Sequence, residues 1–136
     1  MTNIPAPIAS ATVAASVEGD PDAKLTINLH QLRRSGKVMI ATFSFQVTST
    51  QDEPSSLFDY LDSLLWQPYV VDTANLKRHD VLTGGGSRAL TSHLSKFAPG
   101  QTLYAYAMFA APPEAVTTVN VQMLDGAPTA TNVPIT

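Results

Sequence analysis

The run Lys24-Leu25-Thr26-Ile27-Asn28-Leu29-His30-Gln31-Leu32-Arg33 decides the fold class, together with the run Lys37-Val38-Met39-Ile40-Ala41-Thr42-Phe43-Ser44-Phe45-Gln46-Val47 that follows it across Arg34-Ser35-Gly36. Successive side chains of a strand point to opposite faces. Leu25, Ile27 and Leu29 therefore form an apolar row behind Thr26, Asn28 and His30, and Phe43, Phe45 and Val47 form a second row behind Thr42, Ser44 and Gln46. Ser-Gly between two such runs marks a hairpin, because Gly accepts the positive φ of a tight turn. A sheet with one face in a core and one face in water follows.

The same pattern repeats outward from this hairpin. Residues 8–17 read as a first strand, closed by the turn-rich Glu18-Gly19-Asp20-Pro21-Asp22. After the polar stretch 49–56, apolar residues at 57, 58, 61, 64 and 65 have helical spacing, and Ser55 or Ser56 with Asp59 resembles an N-terminal cap. One short helix or irregular insert is expected near 55–65. Strands are expected at 68–73, 77–83, 102–109 and 116–124, with an edge segment at 132–135, where Pro is tolerated. The Gly84-Gly85-Gly86-Ser87 stretch reads as a loop. About seven strands separated by turn residues indicate an antiparallel, immunoglobulin-like β-sandwich, with a small barrel as the alternative. The expected core includes Leu25, Ile27, Leu29, Phe43, Phe45, Val47, Val70, Tyr104, Tyr106, Val119 and Val121.

Composition narrows the function classes. The chain has 136 residues, enough for one domain, and no Cys, which removes thiolate metal sites and Cys nucleophiles. Only 14% of residues are charged, against about a quarter in ordinary globular domains, and the net charge is −3. Such a weak field suits neither nucleic acid nor steering of a charged substrate. The sequence contains no apolar run long enough to span a membrane as a helix. The opening Met1-Thr2-Asn3-Ile4-Pro5-Ala6-Pro7 has no basic, long apolar leader and reads as the tail of a linker. The expectation is a flexible segment over 1–7 and a single domain over 8–136, excised from a longer chain.

The hairpin strings Leu25–Leu32 and Val38–Val47 resemble the opening of immunoglobulin-like modules, often called telokin-like, of actinobacterial secreted and cell-envelope proteins. Tyr69-Val70-Val71-Asp72, Ala98-Pro99-Gly100-Gln101-Thr102 and Phe109-Ala110-Ala111-Pro112-Pro113 are similar to their second half. The resemblance covers roughly residues 12–136 and implies an exported, non-catalytic module placed outside the cell or in its envelope, with a protein or cell-wall partner. It supplies no catalytic residues to carry over.

Candidate sites are few. His30, His79 and His93 lack metal-ligand spacing, and His30 on a polar strand face is ordinarily solvated. Glu18, Asp20 and Asp22 are turn chemistry before they are a Ca²⁺ site, and Asp52, Glu53, Asp59 and Asp62 read as a solvated acidic face. Ser87 follows a Gly triplet but sits in neither a nucleophile elbow nor a phosphate loop. Arg33, Arg34 and Lys37 read as solubilising charges by the turn, and Lys77-Arg78-His79 is the second small basic patch. The segment Trp66-Gln67-Pro68-Tyr69 divides two readings. Exposed, Trp66 and Tyr69 with Arg88 of the 84–88 loop would form a carbohydrate- or peptide-binding patch. Buried, Trp66 plugs the sandwich under the 49–65 insert, and the chain is an interaction or spacer module. Neither reading needs a metal or cofactor, and a hydrolase with an unrecognised site is the least favoured.

Overall fold

Gly36, at a φ of +61°, opens a two-residue turn that pairs Ser35 with Val38 and folds β2 (Lys24–Ser35) onto β3 (Val38–Thr48). The computed structural model describes residues 4–82, 91 and 95–136. Along β3 the odd residues Met39, Ala41, Phe43, Phe45 and Val47 are all buried, so its pleat runs without interruption. On β2, Leu25, Ile27 and Leu29 are buried, and then the parity changes: the register shifts between Leu29 and Gln31, and Leu32 becomes the next core residue. His30 is the extra residue of a β-bulge, which lets three-residue spacing from Leu29 to Leu32 serve one core.

Two four-stranded antiparallel sheets face each other across that core. The first runs β1 (Ala9–Ala14), β2, β3, β8 (Thr102–Ala110). The second runs β10 (Ala130–Pro134), β9 (Thr118–Gln122), β5 (Tyr69–Asp72), β6 (Lys77–Asp80). Between them in sequence lie the two-residue strands β4 (Ser55–Ser56) and β7 (Lys96–Phe97), paired with each other, and the helix α1 (Leu57–Tyr60). The all-β antiparallel sandwich is as the alternation predicts, with ten strands among the described residues where about seven are expected. Two stitches join the sheets. Val81 bridges Phe109 and Leu82 N–H donates to the Met108 carbonyl at 2.9 Å, beside β8. At the other side, Thr136 exchanges hydrogen bonds with Leu32 and Arg34 on the stretch of β2 that extends beyond β1.

Strand β8 corrects the expected core. Ala105, Ala107 and Phe109 face inward, while Tyr104 is 54% exposed and Tyr106 only partly buried. The register gives the reason: Ala105 lies beside Phe43 and Ala107 beside Ala41, with Phe109 beside Met39. Phe43 carries the Trp66 ring edge-on against it, and the inward position beside it on β8 is filled by the methyl of Ala105.

Candidate functional site

The insert that delivers Trp66 is built by short-range rules. Ser56 caps α1, its Oγ accepting from Asp59 N–H at 3.2 Å, and Leu61 N–H donates to the Leu57 carbonyl at 2.9 Å. The helix then stops, because Asp62 and Ser63 take φ values of +58° and +64° and Ser63 N–H reaches back to the Phe58 carbonyl at 2.9 Å. The helical spacing at 57–65 thus yields only one turn. Leu64 and Leu65 emerge on the surface, and the chain drops Trp66 into the core.

Trp66 is 1% exposed. Its Nε1–H donates to the Met123 carbonyl at 2.8 Å, and Phe43 and Phe45 meet it edge-to-face with centroids at 5.2 and 5.0 Å. Indole buried with its one donor satisfied is packing chemistry. Trp66 is therefore withdrawn from any surface on which a ligand could stack, which corrects its place among candidate ligand-binding residues. Nearby, the Tyr60 hydroxyl donates to the Phe97 carbonyl at 2.7 Å, and burial pushes its pKa above the ordinary 10.0.

Tyr69 follows Trp66 by three residues and points the other way, half-buried on the outer face of β5. The Arg78 guanidinium carbon sits 3.8 Å from its ring centroid, and Arg78 Nε is 2.7 Å from Asp80 Oδ1. The stacking face of Tyr69 is thus already covered by a cation held by a carboxylate. This pair is well exposed and contributes at most about 1 kcal/mol to stability. Arg88, Ser87, the Gly84–Gly86 triplet and His93, all named as candidates from the sequence, lie outside the described residues; of the candidate patch, Trp66 is buried and Tyr69 lies on the outer face.

His30 corrects a second expectation. It is buried, although it lies on the polar face of β2. Its Nδ1 is 2.8 Å from the Pro5 carbonyl, which only accepts, so the proton is on Nδ1. Its Nε2 accepts from the Ser44 hydroxyl at 2.7 Å; Ser44 Oγ accepts from the Asn28 amide at 3.3 Å, and Asn28 Oδ1 accepts from the Ser10 hydroxyl. Donors run in one direction from β1 across β2 and β3 to the N-terminal segment. A Ser–His contact of this length is what nucleophilic catalysis uses, but here Ser44 is 3% exposed and its oxygen is engaged on two sides. The group is a clasp holding residues 4–8 on the sheet. The signal for it was in the sequence: the core parity of β2 breaks at His30.

Asp20, Asp72 and Arg34 are also engaged in structural contacts. Asp20 Oδ2 accepts from Ser49 Oγ at 2.7 Å and Thr50 N–H at 2.9 Å, and Oδ1 accepts from Asp22 N–H. The Ser49 bond above all, with that from Thr50, lowers its pKa below 3.8. Fully buried Asp72 accepts from the Asn75 amide at 2.7 Å and Asn75 N–H at 3.2 Å, closing the β5–β6 turn, and the Asn75 bond again lowers its pKa. Arg34 is not a merely solubilising charge. Its guanidinium donates to the carbonyls of Pro112, Pro113 and Val116, the last at 2.9 Å, fastening the loop between β8 and β9. His79 Nε2 is buried without a partner among the described residues. No three His, Asp or Glu side chains converge as metal ligands among those residues, and no helix there is long and apolar enough to cross a membrane.

Comparison with protein-family models, curated proteins and solved structures finds no match to this chain.

Proposed function

We propose that this chain is a non-catalytic β-sandwich module, acting as an interaction or spacer domain of an exported cell-envelope protein. The observation that carries the non-catalytic part is the use made of the chemistry-bearing side chains. The single Trp is spent on the core, and the Ser–His contact on a buried clasp. Asp20 and Asp72 are spent on turns, and Arg34 on backbone carbonyls. The exported placement rests on the resemblance of the hairpin and of Phe109-Ala110-Ala111-Pro112-Pro113 to telokin-like, immunoglobulin-like modules of actinobacterial envelope proteins.

Fractionation of the source cells with an antibody to the purified domain tests this reading. It predicts the antigen in the envelope or the medium; antigen confined to the cytosol overturns it. Among the described residues the carbohydrate- or peptide-binding alternative retains Tyr69, and its ring is covered by Arg78. Backbone NMR shifts at Tyr69, Arg78 and Gln122 that saturate with soluble wall oligosaccharides would favour that alternative.

A further inference from the structure

We propose that β1 is a self-association edge, through which two copies of this chain pair antiparallel over Ser10–Ala14 about a two-fold axis at Thr12. A sheet edge is a template for another strand unless charge, Pro, a bulge or a cover blocks it. Among the described residues, three of the four edges of the two four-stranded sheets are blocked. Strands β8 and β6 are joined through Val81 and Leu82, and β10 carries Pro134, a register break and Asn132 at a φ of +53°. Strand β1, Ala9-Ser10-Ala11-Thr12-Val13-Ala14, has no charge, Pro, Gly or bulge.

The hydrogen-bonding parity of β1 shows which groups are available. Ala15 N–H donates to the Ala23 carbonyl, so odd residues face β2 and the backbone groups of Ser10, Thr12 and Ala14 point outward, with no partner among the described residues. The next outward residue, Ser16, donates its N–H to the Tyr60 carbonyl at 2.8 Å. The insert takes over the edge at that point, so the open stretch is bounded.

Apolar exposure argues for a second copy as the occupant. Ile4 and Ile8, 38% and 44% exposed, precede β1; Leu64 and Leu65, 56% and 49% exposed, lie past its other end. Beside Leu64 is a cleft of about 420 Å³ whose walls include Val13, Leu61 and Leu124. Antiparallel pairing about Thr12 sets Ser10 against Ala14 of the second copy, within the open stretch, and brings the second copy's Ile8 up to the insert at the mouth of this cleft. The two-fold axis makes the same contact twice. Pro5 and Pro7 have no N–H to leave unpaired where the strand ends, and the paired stretch brings no like charges together. This deepens the interaction-module reading by naming a partner; a monomer would leave the spacer reading standing.

Sedimentation velocity from about 1 μM to about 1 mM spans the affinities of such contacts. The proposal predicts a mass rising from one chain toward two. Thr12 is exposed and its N–H points away from β2, so Thr12→Lys and Thr12→Pro leave the fold intact by circular dichroism while weakening association about tenfold or more. Facing residues of a hydrogen-bonded pair lie about 5.5 Å apart at Cα, the span of a disulfide. In a chain with no Cys, Thr12→Cys therefore yields an oxidised dimer much faster than Thr48→Cys. A wild-type chain that stays monomeric throughout, association indifferent to Thr12→Lys, or equal cross-linking of the two Cys variants overturns the proposal.

Discussion

Trp66 donates its indole N–H to the Met123 carbonyl at 2.8 Å, binding the 49–68 insert to the residue that follows β9 of the second sheet. That bond, with Phe43 and Phe45 edge-on to the ring, makes the insert part of the core. Trp66→Ala opens a cavity between the sheets and leaves the Met123 carbonyl unpaired. Urea unfolding should show a loss of about 3–5 kcal/mol, whereas truncating exposed Leu76 should change little.

The clasp at His30 predicts coupling. His30→Ala and Ser44→Ala each leave a buried polar group short of a partner and should cost about 1–3 kcal/mol. The double variant should lose less than the sum, because both remove one contact. Hydrogen exchange at Ile8, whose N–H donates to the Leu29 carbonyl, should accelerate in either variant. Additive losses with unchanged exchange at Ile8 would contradict the clasp.

Arg34 holds three carbonyls in a fixed fork, a geometry a lysine ammonium does not reproduce. Arg34→Lys should therefore be nearly as destabilising as Arg34→Met, by about 1–3 kcal/mol in denaturant titration. Arg33→Lys, on the exposed side of the strand, should be silent.

Much of this architecture was legible in the sequence, because alternation fixes which face of a half-buried strand is wet. Leu25, Ile27, Leu29, Phe43, Phe45 and Val47 are all core, as their period of two requires. What alternation does not carry is volume. Tyr104 looked like core by hydropathy, but its inward neighbour Ala105 is selected by Phe43 and Trp66 across the sheets. Nor does composition show where a polar side chain finds its partner. His30 and Ser44 lie fourteen residues apart and meet only because their strands pair, while Arg34 reaches Val116 across eighty-two. The Trp66 segment was recognisable as decisive, but its direction depended on two left-handed residues, Asp62 and Ser63, with no glycine to announce them.

Acid should weaken the fold. Hydrogen bonds hold the pKa values of Asp20 and Asp72 below 3.8, so their contribution is complete above the unfolded value and is lost as pH falls through the folded ones. Urea midpoints should be flat from neutrality down to about pH 5 and fall steeply below about pH 4. Asp20→Asn should lower the plateau and flatten the acid limb; an unchanged limb would exclude Asp20 as a source.

Fluorescence of the single tryptophan tests the central claim most directly, since the choice of an interaction or spacer module over a ligand-binding one depends on Trp66 being core. The folded protein should emit to the blue of indole in water, resist quenching by iodide, and shift to the red only as urea unfolds it. Red-shifted emission, freely quenched by iodide while circular dichroism still reports a folded sheet, would contradict the account and return Trp66 to the surface as a ligand contact.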